Sequence, residues 1–335
     1  MPMRRLGSSD LEISNIGLGT WAIGGGDWRY GLGHQDDAAS VAVVLHAARI
    51  GLNWIDTAPA YGLGHSEKVV GRALNKIPVA ERPLVFTKCG VVWNEADPKE
   101  EPRLILRPDT IRAEVHSSLS RLGLERIDLC QVHWPPESEL AMLEESWAQL
   151  AMLVDEGLVR GIGVSNFSPE QVRRCQAVRQ VDSIQLRMSL IHRGAATELI
   201  PLAAEIGAGV LVYSPLQTGL LTDGWSLDLL NSLPSNDSRL LHPDFMAPEF
   251  ERNLSLRDRL RPIAYRRQTS VAAVALAWVL AWPGVTATIY GARDVKELEV
   301  VESASALKLD NDDLDEIAVA IASSAAGEGP LNPQN

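Results

Sequence analysis

Arg126-Ile127-Asp128-Leu129-Cys130-Gln131-Val132-His133 is a short apolar run with no steady alternation, and it ends on a histidine. A strand with one wet face alternates strictly, whereas a strand buried on both faces of a parallel sheet does not. Its flanks read as helices. Pro108-Asp109-Thr110 opens one that runs to Leu122 and stops at Gly123, and Leu140–Glu156 stops at Gly157. These are ordinary start and stop signals: proline at the first helical position, glycine just past the last. The unit is therefore helix, buried strand, helix.

The same unit recurs along the chain. Further strands are expected at Ile16–Thr20, Asn53–Asp56, Leu84–Lys88, Gly161–Ser165, Ser183–Leu186, Val210–Tyr213 and Thr286–Ile289. Helices are expected at Asp37–Ile50, Ser66–Leu74, from Ser168-Pro169, at Ala195–Ile206, at Val271–Trp282 and at Val295–Ala304. Eight βα units in a row predict an α/β fold, a closed (β/α)8 TIM barrel in a single domain over residues 1–322. A doubly wound sheet is the alternative. One segment breaks the rhythm. Residues 222–249 are polar and aperiodic, as in a lid or a disordered loop. Residues 323–335, with their Gly and Pro, are expected to form a flexible tail.

Bulk properties narrow the function. The 335 residues are 46% hydrophobic, carry a net charge of −12 and hold no long basic run, so nucleic acid and anionic membrane are not expected partners. The three cysteines show neither CxxC pairing nor metal spacing, so no metal is expected. The most apolar window, Val271–Trp282, is too short to span a bilayer, and no signal-like stretch opens the chain, so a cytoplasmic location is expected. Composition says nothing about oligomeric state.

Four polar residues fall at or just past strand ends: Asp56, Tyr61, Lys88 and His133. In a barrel the loops at the carboxyl ends of the strands build the site, so the four can converge. A lysine ammonium beside a tyrosine favours the phenolate and is expected to lower its pKa. Asp56 would hold Lys88 charged, Tyr61 would act as general acid, and His133 would orient a carbonyl oxygen. Each has a plainer reading as a turn, packing or surface residue. The combination suits reduction of a carbonyl by hydride. Two other readings stay open: a Schiff-base lyase using Lys88, and a non-catalytic nicotinamide-nucleotide sensor.

The strings around these residues resemble the aldo-keto reductases. They are Asp56-Thr57-Ala58 with Tyr61-Gly62 and Ser66-Glu67, Phe86-Thr87-Lys88, Gln131-Val132-His133-Trp134-Pro135, Gly161-Ile162-Gly163-Val164-Ser165-Asn166-Phe167, Val212-Tyr213-Ser214-Pro215-Leu216 with Gly219-Leu220-Leu221, and Gly291-Ala292-Arg293. The resemblance spans roughly residues 4–322 and implies NADP(H), with NADH possible. It implies that Ser165, Asn166 and Gln185 hold the carboxamide and that Tyr213 stacks on the nicotinamide. Ser214, Leu216, Gly219 and Leu220 would lie along the pyrophosphate, with Gly291, Arg293 and Glu297 nearer the adenosine. Trp21 would line a carbonyl-substrate pocket, to which Trp28, Trp93 and Trp134 are natural additions. Two departures stand out. Glu297 and Val301 replace a glutamine and an asparagine common in relatives, and Arg187-Met188 stands where relatives carry an aromatic.

Overall fold

The computed structural model describes residues 1–26, 28–94, 96–135, 137–234 and 237–333. Eight parallel strands close into a barrel: β1 (Ile16–Gly19), β2 (Trp54–Asp56), β3 (Leu84–Cys89), β4 (Ile127–Val132), β5 (Val159–Ser165), β6 (Ser183–Arg187), β7 (Gly209–Tyr213) and β8 (Val285–Gly291). Each pairs with its neighbour in sequence, and β8 pairs with β1 through Thr288↔Ile16 and Tyr290↔Leu18. All eight lie where the unalternating runs predict them. The doubly wound alternative is excluded, because an open sheet has two unpaired edges and this one has none.

Helices α1 (Asp37–Arg49), α2 (His65–Leu74), α3 (Pro108–Leu122), α4 (Leu143–Asp155), α5 (Pro169–Val178) and α6 (Ala195–Ile206) follow the first six strands. Their ends obey local chemistry. Asp36 caps α1 by accepting from the Ala39 N–H, and Ser168 caps α5 with Gln171 returning the bond.

The floor of the barrel is sealed by an antiparallel hairpin, Met3–Arg5 with Glu12–Ser14. Leu6, Leu11 and Ile13 from this hairpin pack against Trp54, Phe86, Leu129, Leu211 and Ala287 inside the barrel. The Trp54 indole N–H donates to the Ser14 carbonyl at 2.9 Å. Glycine is required at 17, where an added Cβ would sit 2.1 Å from the Trp54 ring. The apolar floor leaves the opposite, carboxyl-end mouth for polar groups.

Residues 222–249 carry more order than their composition suggests. They hold a short helix α7 (Leu227–Asn231) and 3-10 turns at Ser238–Leu241 and Pro243–Phe245; positions 235 and 236 of this expectation lie outside the described residues. Trp225 is the anchor. Its ring meets Phe245 edge-on at 4.8 Å, the Arg239 guanidinium lies 5.0 Å from it, and its carbonyl accepts from Arg257 at 2.6 Å. After it come α8 (Glu249–Arg259), α9 (Arg261–Arg266) and α10 (Val271–Leu280) before β8, then α11 (Glu299–Ala306) and α12 (Asn311–Ser324). The sequence reading omits α8, α9 and α12.

The expectation of a flexible tail needs correction for its described part, which reaches residue 333. Ala326 and Asn332 are buried, and Glu328 forms a β-bridge with His192. Arg193 is the physical reason. Its guanidinium is buried, with its pKa held down to about 10 by desolvation, and it must find acceptors. The carbonyls of Ala326 and Gly329 supply two, at 3.2 and 3.4 Å.

Candidate active site

Asp56 ends β2, Lys88 is the fifth residue of β3, and His133 follows β4 with its N–H donating to Cys89 O at 2.9 Å. Tyr61 rides on the tight turn between β2 and α2, closed by the Gly64 N–H on Pro59 O at 2.6 Å. This turn docks against the loop after β1. Gly62 has a φ of +61°, and a Cβ there would fall 1.9 Å from the Gly24 carbonyl oxygen, so only glycine fits. Beneath it the fully buried Glu67 accepts from Thr87 Oγ1 and Arg121 Nε, each at 2.6 Å, and so props β3 beside Lys88.

The structure brings the four sequence-predicted residues together. Lys88 Nζ donates to Asp56 Oδ2 at 2.6 Å, to Thr57 O at 3.0 Å and to Tyr61 OH at 3.2 Å. These account for all three ammonium N–H groups. The Asp56 and Lys88 side chains are essentially buried, and burial lowers the Lys88 pKa most strongly, but the Asp56 carboxylate and the Tyr61 phenol together outweigh it and the net shift is upward. A lysine that stays protonated and has every N–H engaged has no lone pair for a carbonyl carbon, which removes the chemical basis of the Schiff-base reading. The Tyr61 and His133 rings meet edge-on with centroids 5.7 Å apart.

One expectation is reversed. Lys88 does pull the Tyr61 phenol toward ionisation, but burial pushes it up more strongly, and its pKa lies above the ordinary value of 10.0. A phenolate in this position forfeits most of its hydration, and a single ammonium, shared with Asp56, does not repay it. His133 moves the other way. Burial, and then the Lys88 charge, hold its pKa well below 6.5, so the imidazole is neutral. Its buried Nδ1 has no hydrogen-bond partner among the described residues.

The opposite side of the mouth carries the residues expected around a coenzyme. Asn166, at a φ of +64°, donates to His133 O and Ser165 Oγ at 3.0 Å each and accepts from Tyr213 OH at 2.6 Å. Gln185 donates to Asp56 Oδ1 at 2.7 Å, a link no local sequence signal announces. It joins the end of β6 to the Asp56–Lys88 pair across the mouth. Past β7 the chain turns through Ser214, Leu216, Gly219 and Leu220, with Ser214 and Gly219 at φ of +53° and +93°. Past β8, the Arg293 N–H donates to Glu297 Oε2 at 2.7 Å, Arg293 Nε donates to Gln35 Oε1 at 2.9 Å, and the Tyr290 hydroxyl donates to Glu297 O at 2.8 Å. Gly291 opens that loop. Amide-bearing side chains, a flat aromatic ring and a turn of close backbone N–H groups fit a nicotinamide nucleotide chemically.

The four tryptophans are dispersed. Trp21 and Trp93 are half-buried at the ends of β1 and the segment after β3, and Trp134 is 43% exposed beside His133. Trp28 is buried in its own loop, its indole N–H on Gly25 O at 3.1 Å. That loop is clamped to the segment after β3 by Arg29 with Glu101 at 2.6 Å and by Tyr30 with Glu101.

The profile of the aldo/keto reductase family matches residues 15–322. The chain belongs to this family. It is 35% identical over 320 residues to the NADH-specific methylglyoxal reductase of Escherichia coli K12, covering 92% of this chain and 94% of that protein. Among solved structures, the glycerol dehydrogenase AKR11B4 of Gluconobacter oxydans superposes with a TM-score of 0.87 at 36% identity, covering 98% of this chain and 97% of the other. The holo form of aldo-keto reductase AKR11C1 of Bacillus halodurans gives a TM-score of 0.78 at 25% identity over 96% of each chain. As an aldo-keto reductase the protein is an oxidoreductase of carbonyl compounds working with a nicotinamide coenzyme. No helix among the described residues is long and apolar enough to cross a membrane.

Proposed function

We propose that the protein reduces small aldehydes, ketones or sugars to alcohols, with Tyr61 as proton donor. The observation that carries this is the direction of the Lys88–Tyr61 hydrogen bond. Lys88 can only donate, so the Tyr61 oxygen accepts and its own proton is free for a substrate oxygen. A reduced nicotinamide supplies hydride to the carbonyl carbon. The protein's residues then handle the charge that moves to oxygen. Tyr61 gives up its proton, the resulting phenolate is held by the Lys88 ammonium, and Asp56 keeps that ammonium charged. Neutral His133 has one N–H to offer the carbonyl oxygen, as an orienting donor that brings no competing charge.

The raised Tyr61 pKa suits an acid more than a base. Reduction is expected to hold level through neutral pH, because the phenol stays protonated below its shifted pKa. Alcohol oxidation, which needs the phenolate, is expected to climb as pH rises toward that pKa. The decisive test is Tyr61→Phe assayed with methylglyoxal, glyceraldehyde and dihydroxyacetone. Turnover at saturating coenzyme should fall by roughly 10²–10⁴-fold, with coenzyme quenching of tryptophan fluorescence unchanged. Retained turnover would falsify the assignment.

Within this reading NADH is the favoured coenzyme, a shift from the NADP(H) that the family strings suggest. The Arg293 guanidinium, the natural partner for a 2′-phosphate, is already spent on Gln35 Oε1 and the His34 carbonyl. The exposed Glu297 carboxylate stands over the Arg293 backbone N–H, where it opposes a phosphate and suits a ribose hydroxyl. The Escherichia coli relative carries NADH specificity in its name. Glu297→Gln should raise kcat/KM for NADPH by about tenfold and change that for NADH little.

A further inference from the structure

Arg187 departs from the family strings, and residues 222–249 are aperiodic in sequence. The structure joins them at one side chain. Asp244, buried in the turn Pro243–Phe245, receives three donors on Oδ2: Gln217 Nε2, His192 Nε2 at 2.7 Å and Arg187 Nη2 at 3.2 Å. The donors come from the turn after β7, the loop after β6 and the end of β6 itself. Arg187 also reaches His242 Nε2 at 3.0 Å, and Asn253 of α8 donates to the Asp244 carbonyl at 3.1 Å.

Gln217 is the important partner. It is buried, its Oε1 has no partner among the described residues, and its backbone sits at a φ of +49°, followed by Thr218 at +54° and Gly219 at +93°. Two successive non-glycine residues in left-handed space are strained and persist only when something holds them. The carboxylate 27 positions later holds the side chain of the first. Arg187 lies level with Tyr213 across the β6–β7 pairing, so the same carboxylate also holds the cation registered beside Tyr213.

We infer that Asp244 is a positioning residue for coenzyme binding: through Gln217 it sets the strained Ser214–Leu220 turn, and it makes the 237–250 segment a structural part of coenzyme affinity. This rests on the reading that the turn lies along the coenzyme pyrophosphate.

The test uses the full chain, with NADH and NADPH titrated by tryptophan quenching and by steady-state kinetics. Asp244→Ala should raise coenzyme Kd and KM by about tenfold or more, the size of a lost hydrogen bond to a charged group. Turnover at saturating coenzyme should stay within about threefold, because Tyr61, Lys88 and Asp56 are untouched. Asp244→Asn keeps an acceptor and should recover most of the affinity. Gln217→Leu should reproduce the Asp244→Ala effect, and the double variant should be no worse than either single one. If Asp244→Ala does not fold, Gln217→Leu carries the test alone. Unchanged coenzyme Kd in a folded Asp244→Ala or Gln217→Leu, or additive losses in the double variant, overturns the inference while leaving the proposed reaction standing. A wild-type protein that binds neither coenzyme overturns the proposed reaction, and the inference falls with it.

Discussion

The β2–β4 side of the barrel mouth and the β6–β8 side are held by different means. On the first, Asp56, Lys88, Tyr61 and His133 lie on consecutive units, and the central contacts span only about 30 positions of chain. Their geometry follows from strand ends and one tight turn, and the bonds are short, buried and mutually saturating. On the second, the holding contacts come from far away. Gln185 reaches Asp56 across 129 positions, and Gln35 reaches Arg293 across 258. The β2–β4 side is thus held by a buried charge pair. The β6–β8 side is held only as far as the long segment after β7 is docked. In aldo-keto reductases of this kind, the two sides should therefore fail in different ways.

The largest failure is expected from Lys88→Met. It strands Asp56 in a dry site with Gln185 as its remaining partner, and removing one member of a buried pair costs about 3–5 kcal/mol. Urea unfolding should show that loss globally, with turnover abolished. If stability drops by less than about 1 kcal/mol, the charge pair is not what holds this side.

Trp225→Ala should lose a comparable amount, about 3–5 kcal/mol, but locally. Limited proteolysis should then cut within residues 223–248, coenzyme affinity should fall, and the global urea midpoint should move less than in Lys88→Met. Equal global losses in both variants would erase the distinction between the two sides.

His133 tests the first side by pH. Its folded pKa is depressed below the ordinary 6.5, so its contribution to stability is present above that value and is lost as pH falls through the folded pKa. The urea midpoint of the wild type should therefore decline on acidification from about pH 6.5, and His133→Gln should flatten that limb. The same slope in both proteins would show that the imidazole is hydrated after all.

The effect seen only at alkaline pH is expected at Glu114, on α3 behind β3. Burial pushes its carboxyl up to about 8, although the Gly90 N–H donates to it at 2.9 Å. Raised in the folded state, it contributes stability that is full below its ordinary 4.5 and is lost as pH rises through 8. Glu114→Gln should be no less stable than wild type at pH 5 and more stable at pH 9, measured by urea midpoint.

The failures of sequence reading follow the same division. Asp56, Lys88 and His133 are legible because each lies at or beside the end of a buried apolar run, and Tyr61 because it stands on the turn that follows β2. Even there, the direction of the Tyr61 shift was not legible, since it depends on how much water the closed mouth excludes. Helix α12 does carry a readable signal, with Asp310 as cap and Leu314, Ile317 and Ile321 at helical spacing. The hairpin floor was not readable in the same sense, because Leu6, Leu11 and Ile13 acquire meaning only against Trp54 and Phe86. Arg193 has no local signal of burial, because the carbonyl that accepts from it at Ala326 lies 133 positions away.

By itself, then, the sequence determined the eight buried strands, the helices between most of them, and the four groups that strand ends bring to one face. Those properties depend on periods and caps a few residues long. Only the tertiary structure decided that Lys88 is saturated and cannot act as a nucleophile, that Gln185 ties the two sides of the site together, and that Asp244 grips the turn after β7. These depend on desolvation and on hydrogen bonds between residues far apart in the chain, which no local pattern encodes.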